Sequence, residues 1–218
     1  MSKKNPDRIG TKINSETQYN RNNFRRKTAY VTYGLIGVNL LMFALEINSG
    51  GSENIKNLYA LGALDPQAVL SGQWWRLLNA NFLHFGWVHL LMNMLGLYFL
   101  GRFVEFALGS VRYLIAYLIS GIGSMLLFTL LAMKLGYTEQ ILVGASAAIM
   151  GLIGVISAIL IRDWYQQKSL IAAQRLQTLL FIISIQFIFD WTTPQVSFLS
   201  HVLGLFIGLI TSIFLLAF

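Results

Sequence analysis

The chain has 218 residues, of which 56% are hydrophobic and only 11% charged, with a mean hydropathy of +0.61. A soluble domain has about a quarter of its residues charged, so an ordinary soluble fold is excluded and one polytopic membrane domain is expected. The net charge of +7 does not point to nucleic acid: eight of the 16 basic residues fall in the first 28 positions, outside any apolar segment, where such residues set topology and touch anionic lipid. The absence of cysteine removes disulfides, thiol nucleophiles and cysteine-based metal sites from consideration.

Residues 1–28 are polar, Asn-rich and basic, and read as a cytoplasmic tail ahead of a single domain over 29–218. The tail lacks the apolar core of a cleavable signal peptide, and its Lys, Asp, Glu and Asn content is wrong for a transit peptide. Six apolar, helix-length segments follow, near 29–47, 82–101, 111–133, 146–161, 170–189 and 199–218, which predicts an all-α bundle of six transmembrane helices. The fifth is the weakest, being interrupted by Gln174, Arg175, Gln177 and Gln186. Thirteen basic residues fall on the side of the tail and three, Lys56, Arg76 and Lys134, on the other. The positive-inside rule then puts both termini in the cytoplasm.

With that topology the second, fourth and sixth segments all run inward. His84, His89 and Asn93 lie in the outer half of the second, Ser146 opens the fourth, and His201 lies near the outer end of the sixth. All three histidines and the serine therefore fall in one leaflet. The fourth segment begins GASAAIMGLIG, Gly144 to Gly154, and reaches Arg162 after 16 residues from Ser146, about 24 Å of helix at roughly 1.5 Å per residue. A hydrocarbon core of roughly 30 Å leaves Ser146 below the outer surface, where a polar residue is a functional candidate.

A serine hydroxyl needs a base to become a nucleophile, and neutral imidazole is the usual one. His201, Gly204, Gly208 and Ser212 share a helical face, and Ala147, Gly151, Gly154 and Ala158 form a matching small stripe. Packing the two stripes together brings Ser146 and His201 to hydrogen-bond range. His89 and Asn93, four apart on one face, could supply oxyanion donors with the Ser146 amide. His84 falls on another face of a continuous helix and takes a structural role. Each feature has a plainer reading: a lone GxS or GxxxG in a membrane is more often packing, Asn93 alone is more often interhelical glue, and three histidines could ligate a metal or haem.

From Trp75 to Gly208 the sequence resembles the rhomboid intramembrane serine proteases of bacterial type. The matching residues are Trp75-Arg76, then HFGWVHLLMNMLGLYFLG (His84 to Gly101), Glu105 and Gly109 in EFALGS, GASAAIMGLIG, and SHVLGLFIGL (Ser200 to Leu209). The resemblance implies a Ser146–His201 dyad with no acidic third member, an oxyanion site from His89, Asn93 and the Ser146 backbone, and a water-filled cavity open outward. It also implies that the fifth segment is a lateral gate and that Trp75 and Arg76 are structural residues of a membrane-embedded first loop. Gly144, Ala147, Met150, Gly204 and Gly208 would support the dyad.

Two positions depart from the family pattern. Ala147 stands where glycine usually follows the nucleophile, and Met150 stands where an aromatic often stacks on the catalytic imidazole; its thioether can still contact a ring. The expected function is hydrolysis of single-pass membrane proteins near their outer ends, in a plasma membrane, with the bilayer as surroundings, no cofactor and no nucleic acid. Two rivals stay open: a rhomboid-like protein that binds membrane helices without cutting them, and a histidine-rich metal or haem protein. Labelling by a serine-directed fluorophosphonate separates the protease from both.

Overall fold

A computed structural model describes residues 28–136, 141–192 and 197–217. The expected tail over 1–28 lies outside the described residues apart from Thr28, as does Phe218. The helices are α1 (Tyr30–Ser49), α2 (Ile55–Leu61), α3 (Pro66–Leu70), α4 (Arg76–Asn79), α5 (Gly86–Leu108), α6 (Ser110–Leu135), α7 (Ser146–Gln167), α8 (Leu170–Thr192) and α9 (Phe198–Leu215). Among the described residues six are long and apolar enough to cross a membrane: α1, α5, α6, α7, α8 and α9. The protein is a multi-pass helical bundle.

The bundle is built around α7. Of its most apolar stretch 67% is buried, against 17% for α8, so α7 is the central post and α8 an outer wall. The main core packs Ile149, Leu152, Ile153, Val155 and Ile156 of α7 against Leu97 and Val104 of α5 and Tyr113 and Tyr117 of α6. The tightest seam is between α7 and α9. A Cβ added at Gly204 would overlap the Ala147 carbonyl oxygen, one at Gly208 that of Gly151, and one at Gly154 that of Leu205. Backbone therefore meets backbone, as small-residue stripes permit in a membrane.

In α1, Thr32, Leu35, Asn39, Phe43 and Glu46 form one buried stripe at helical spacing, while Tyr30, Leu40, Leu41 and Leu45 face outward. The pattern is that of a membrane helix, with polar side chains turned inward, away from lipid. Glu105 reaches across from α5 to close the N-terminus of α1: its carboxylate accepts from the Val31 N–H at 3.0 Å, the Thr32 N–H at 2.9 Å and the Thr32 hydroxyl at 2.7 Å. That satisfies donors a helix start leaves open. Ser110 Oγ donates to the same carboxylate at 2.7 Å.

Helix limits differ from expectation in instructive places. The second segment does not start at Phe82: Leu83 is extended, helix begins only at Gly86, and it continues to Leu108 through a wider turn at Leu97–Gly101. His84 thus precedes α5, and the argument that put it on another face of a continuous helix does not apply. The fourth segment runs beyond Arg162 to Gln167.

Candidate active site

Ser146 is the first residue of α7, at the end of a loop pinned by the stretch between α2 and α5. Leu142 and Leu64 exchange two backbone hydrogen bonds, at 2.9 and 3.1 Å, and the Gly144 N–H donates to Ala80 O at 2.8 Å. Gly144 has φ +123°, a conformation side-chain-bearing residues rarely adopt, and a Cβ there would stand 2.7 Å from His89 Cε1 and Nε2. Glycine is therefore required twice over, for its backbone and for the room it leaves the imidazole. Opening the helix, Ser146 has no carbonyl four residues back within α7 to accept its N–H.

His201 lies in the first turn of α9, which Ser197 caps by accepting the Ser200 N–H at 3.2 Å. Ser124 Oγ of α6 donates to Ser200 O at 2.7 Å, tying this turn to a third helix. With the α7–α9 seam closed, His201 Nε2 stands 2.7 Å from Ser146 Oγ.

The other ring nitrogen has a polar neighbour that the sequence did not suggest: His201 Nδ1 lies 2.7 Å from Asp190 Oδ2 of α8, both side chains being almost wholly buried. Gln186, one turn back, donates from Nε2 to Asp190 Oδ1 at 2.8 Å. A carboxylate accepts hydrogen bonds and cannot donate them. The arrangement therefore puts the imidazole proton on Nδ1 and leaves Nε2 free to accept from the serine hydroxyl. Asp190 was missed because it sits one residue past the apolar run ending at 189. The available signal was a polar pair at i, i+4, Gln186 and Asp190, in an otherwise apolar span.

His89 and Asn93 occupy successive turns of α5. The Phe85 N–H points to His89 Nδ1 at 3.4 Å, which leaves the neutral ring its proton on Nε2, the end turned to Gly144. Asn93 Nδ2 is buried with no hydrogen-bond partner among the described residues, 3.5 Å from where a Gly144 Cβ would be. Two donors thus converge on the loop carrying Ser146. A small pocket lies between His89, Ser146, Ser197 and His201, walled by Met125 and Val143.

The remaining expected residues lie around this centre. His84 is fully buried, its ring edge-on to that of His89 at 5.3 Å, and its backbone N–H donates to Glu46 Oε1 at 3.0 Å. Burial, reinforced by the facing His89, holds the His84 imidazole down to about 3, so it is uncharged near neutral pH. Arg76 is buried and spends its donors on the first loop, at 2.8 Å to Tyr59 O and Ala63 O and 2.7 Å to Gln73 Oε1. Trp75 is exposed. Ala147 is buried against α9, and Met150 lies in the main core one turn past Ser146. Among the described residues no three His, Cys, Asp or Glu side chains converge as a metal-ligand group.

Comparison with known proteins gives one family. The Rhomboid domain model matches residues 71–218. Rhomboid protease GluP of Bacillus subtilis (strain 168) is 42% identical over 127 residues, covering 57% of this chain and 24% of that protein. RHOMBOID-like protein 6, mitochondrial, of Arabidopsis thaliana is 39% identical over 152 residues, 69% of this chain and 47% of that protein. The putative rhomboid protease YdcA of Bacillus subtilis (strain 168) is 31% identical over 146 residues, 66% of this chain and 68% of that protein. The alignments with the first two span less than half the length of those relatives.

Proposed function

The chain belongs to the rhomboid family, and on that premise we propose that it is an intramembrane serine endopeptidase cutting single-pass membrane proteins near the outer ends of their helices. The observation that carries this reading is the 2.7 Å contact between Ser146 Oγ and His201 Nε2 at the edge of a small pocket. His201 Nε2 takes the hydroxyl proton as Ser146 Oγ bonds to the scissile carbonyl carbon, and the carbonyl electron pair moves to oxygen. The oxyanion is met by His89, Asn93 Nδ2 and the Ser146 N–H. The imidazolium gives its proton to the leaving amine as the C–N bond breaks, and a water repeats the sequence on the acyl-enzyme. The substrate helix has to unwind first, because a helical carbonyl is already hydrogen-bonded along its own backbone.

The test is cleavage of a single-pass reporter in liposomes by wild type, Ser146→Ala, His201→Ala and the double variant. Each single change is expected to abolish turnover, with the double no worse, since the two act as a unit. Substantial cleavage by folded Ser146→Ala would overturn the reading. The proposed setting is a bacterial plasma membrane, and the basic asymmetry supports an orientation with the 1–28 tail and both termini in the cytoplasm. Labelling of Gly10→Cys by an impermeant thiol reagent outside intact cells would reverse that orientation.

A further inference from the structure

Among the described residues, Asp190 is the one carboxylate that touches the reacting pair. It lies on α8, whose neighbouring residues Phe181, Ile182, Ile185 and Trp191 are exposed on the lipid-facing outside of the bundle. Only 17% of the most apolar stretch of that helix is buried, yet Asp190 is itself buried. Taking a carboxylate out of water costs several kcal/mol unless hydrogen bonds and an opposing charge offset it. Here both oxygens are engaged: Oδ1 accepts from Gln186 Nε2 at 2.8 Å, and Oδ2 faces His201 Nδ1 at 2.7 Å. The opposing charge exists only while His201 carries the serine proton. A carboxylate so held interacts more strongly with the charged imidazole of the transition state than with the neutral ring of the resting enzyme, and such differential binding is what accelerates a reaction.

We propose that Asp190 is a positioning residue that completes a Ser146–His201–Asp190 relay, fixing the His201 tautomer and stabilising the imidazolium, with Gln186 orienting the carboxylate. The proton moves only between Ser146 Oγ, His201 Nε2 and the leaving amine or water, while Asp190 keeps its charge throughout. The acid comes from a different helix than the serine and the histidine, so three of the six spans build the relay. Among the described residues, the other titratable group lining the pocket with His201 is His89 of α5. In soluble serine proteases, replacing the corresponding Asp by Asn lowers kcat by about 10⁴ because the wrong tautomer forms.

This inference rests on the peptidase reading, and the experiment separates the two. Wild type, Ser146→Ala, Asp190→Asn and Asp190→Ala are assayed with the single-pass reporter in liposomes, at equal amounts of folded protein. Both Asp190 variants are expected to lose kcat by on the order of 10²- to 10⁴-fold, with KM within about threefold of wild type. A residue that merely staples α8 to α9 would change folded yield or KM instead. An inactive Ser146→Ala beside a folded Asp190→Asn turning over at the wild-type rate overturns this inference alone, whereas an active Ser146→Ala overturns the peptidase reading beneath it. A loss confined to KM also overturns it. The wild-type protein supplies a readout free of any folding defect. With ¹⁵N-labelled histidine, and His201→Ala to assign the signal, the resting enzyme should show His201 protonated at Nδ1 and bare at Nε2. The reverse tautomer overturns the proposal.

Discussion

The two contacts to the His201 ring are equally short and differently built. On the Nε2 side, Ser146 is held by the α7–α9 seam, where Gly151, Gly154, Gly204 and Gly208 bring backbone against backbone. On the Nδ1 side, Asp190 is held by α8, a helix that shows most of its surface to lipid. A seam without side chains has no rotamers to change, so nucleophile and base are fixed as one rigid piece. A mostly exposed helix is placed by few contacts, and the hydrogen bonds at Asp190 account for a larger share of what holds it. Precision at this site thus has two sources, geometry on one side and polar chemistry on the other.

The sharpest way to break that contrast is at the seam. Gly208→Val should remove the folded, active protein outright, because its side chain would occupy the place of the Gly151 carbonyl oxygen. Ordinary overpacking costs about 1–3 kcal/mol when side chains can shift, and here there is none to shift. Thermal unfolding in detergent, with fluorophosphonate labelling as the count of active sites, measures it; an unchanged melting temperature would mean the helices are not locked as described. Asn93→Ala is the intermediate case, a buried donor off the seam. Turnover is expected to fall by on the order of 10²–10³ with the protein still folded, and a fully active, folded variant would remove Asn93 from the oxyanion site. Phe181→Ala and Ile185→Ala, on the lipid face of α8, are expected to move stability by no more than about 0.5 kcal/mol and to leave turnover unaltered. A large loss of turnover there would show that α8 is positioned by its outer surface and not at Asp190.

The six spans were legible because a bilayer forces apolar length on any helix that crosses it. Their ends were not, because hydropathy reports where a residue resides and says nothing of its φ and ψ. Leu83 and Phe85 are as apolar as span residues but belong to the loop ahead of α5, while Arg162 ends the apolar run well before the helix itself ends at Gln167. The pairing of Ser146 with His201 could be argued from matching small stripes, since those are periodic and local to each helix. Glu105 could be matched to a family pattern, but not its bonds to Val31 and Thr32, whose residues lie 74 and 73 positions away. The pairing of Asp190 with His201, unlike the polar pair it forms with Gln186, was illegible for the same reason. The partner is on the next helix, and nothing periodic within α8 or α9 says whether the two side chains meet.

The seam also has a genetic meaning. When a new side chain clashes with another side chain, a second mutation can trim the neighbour and restore the fit. At Gly151 that remedy exists, because an added Cβ would chiefly strike the Ser120 side chain, which can be shortened. At Gly154, Gly204 and Gly208 the obstructing atom is a main-chain carbonyl oxygen, and no codon encodes a residue without one. A suppressor screen begun from Gly151→Ala can return changes at Ser120, while one begun from Gly204→Ala or Gly208→Ala should return true revertants and nothing in the opposing helix.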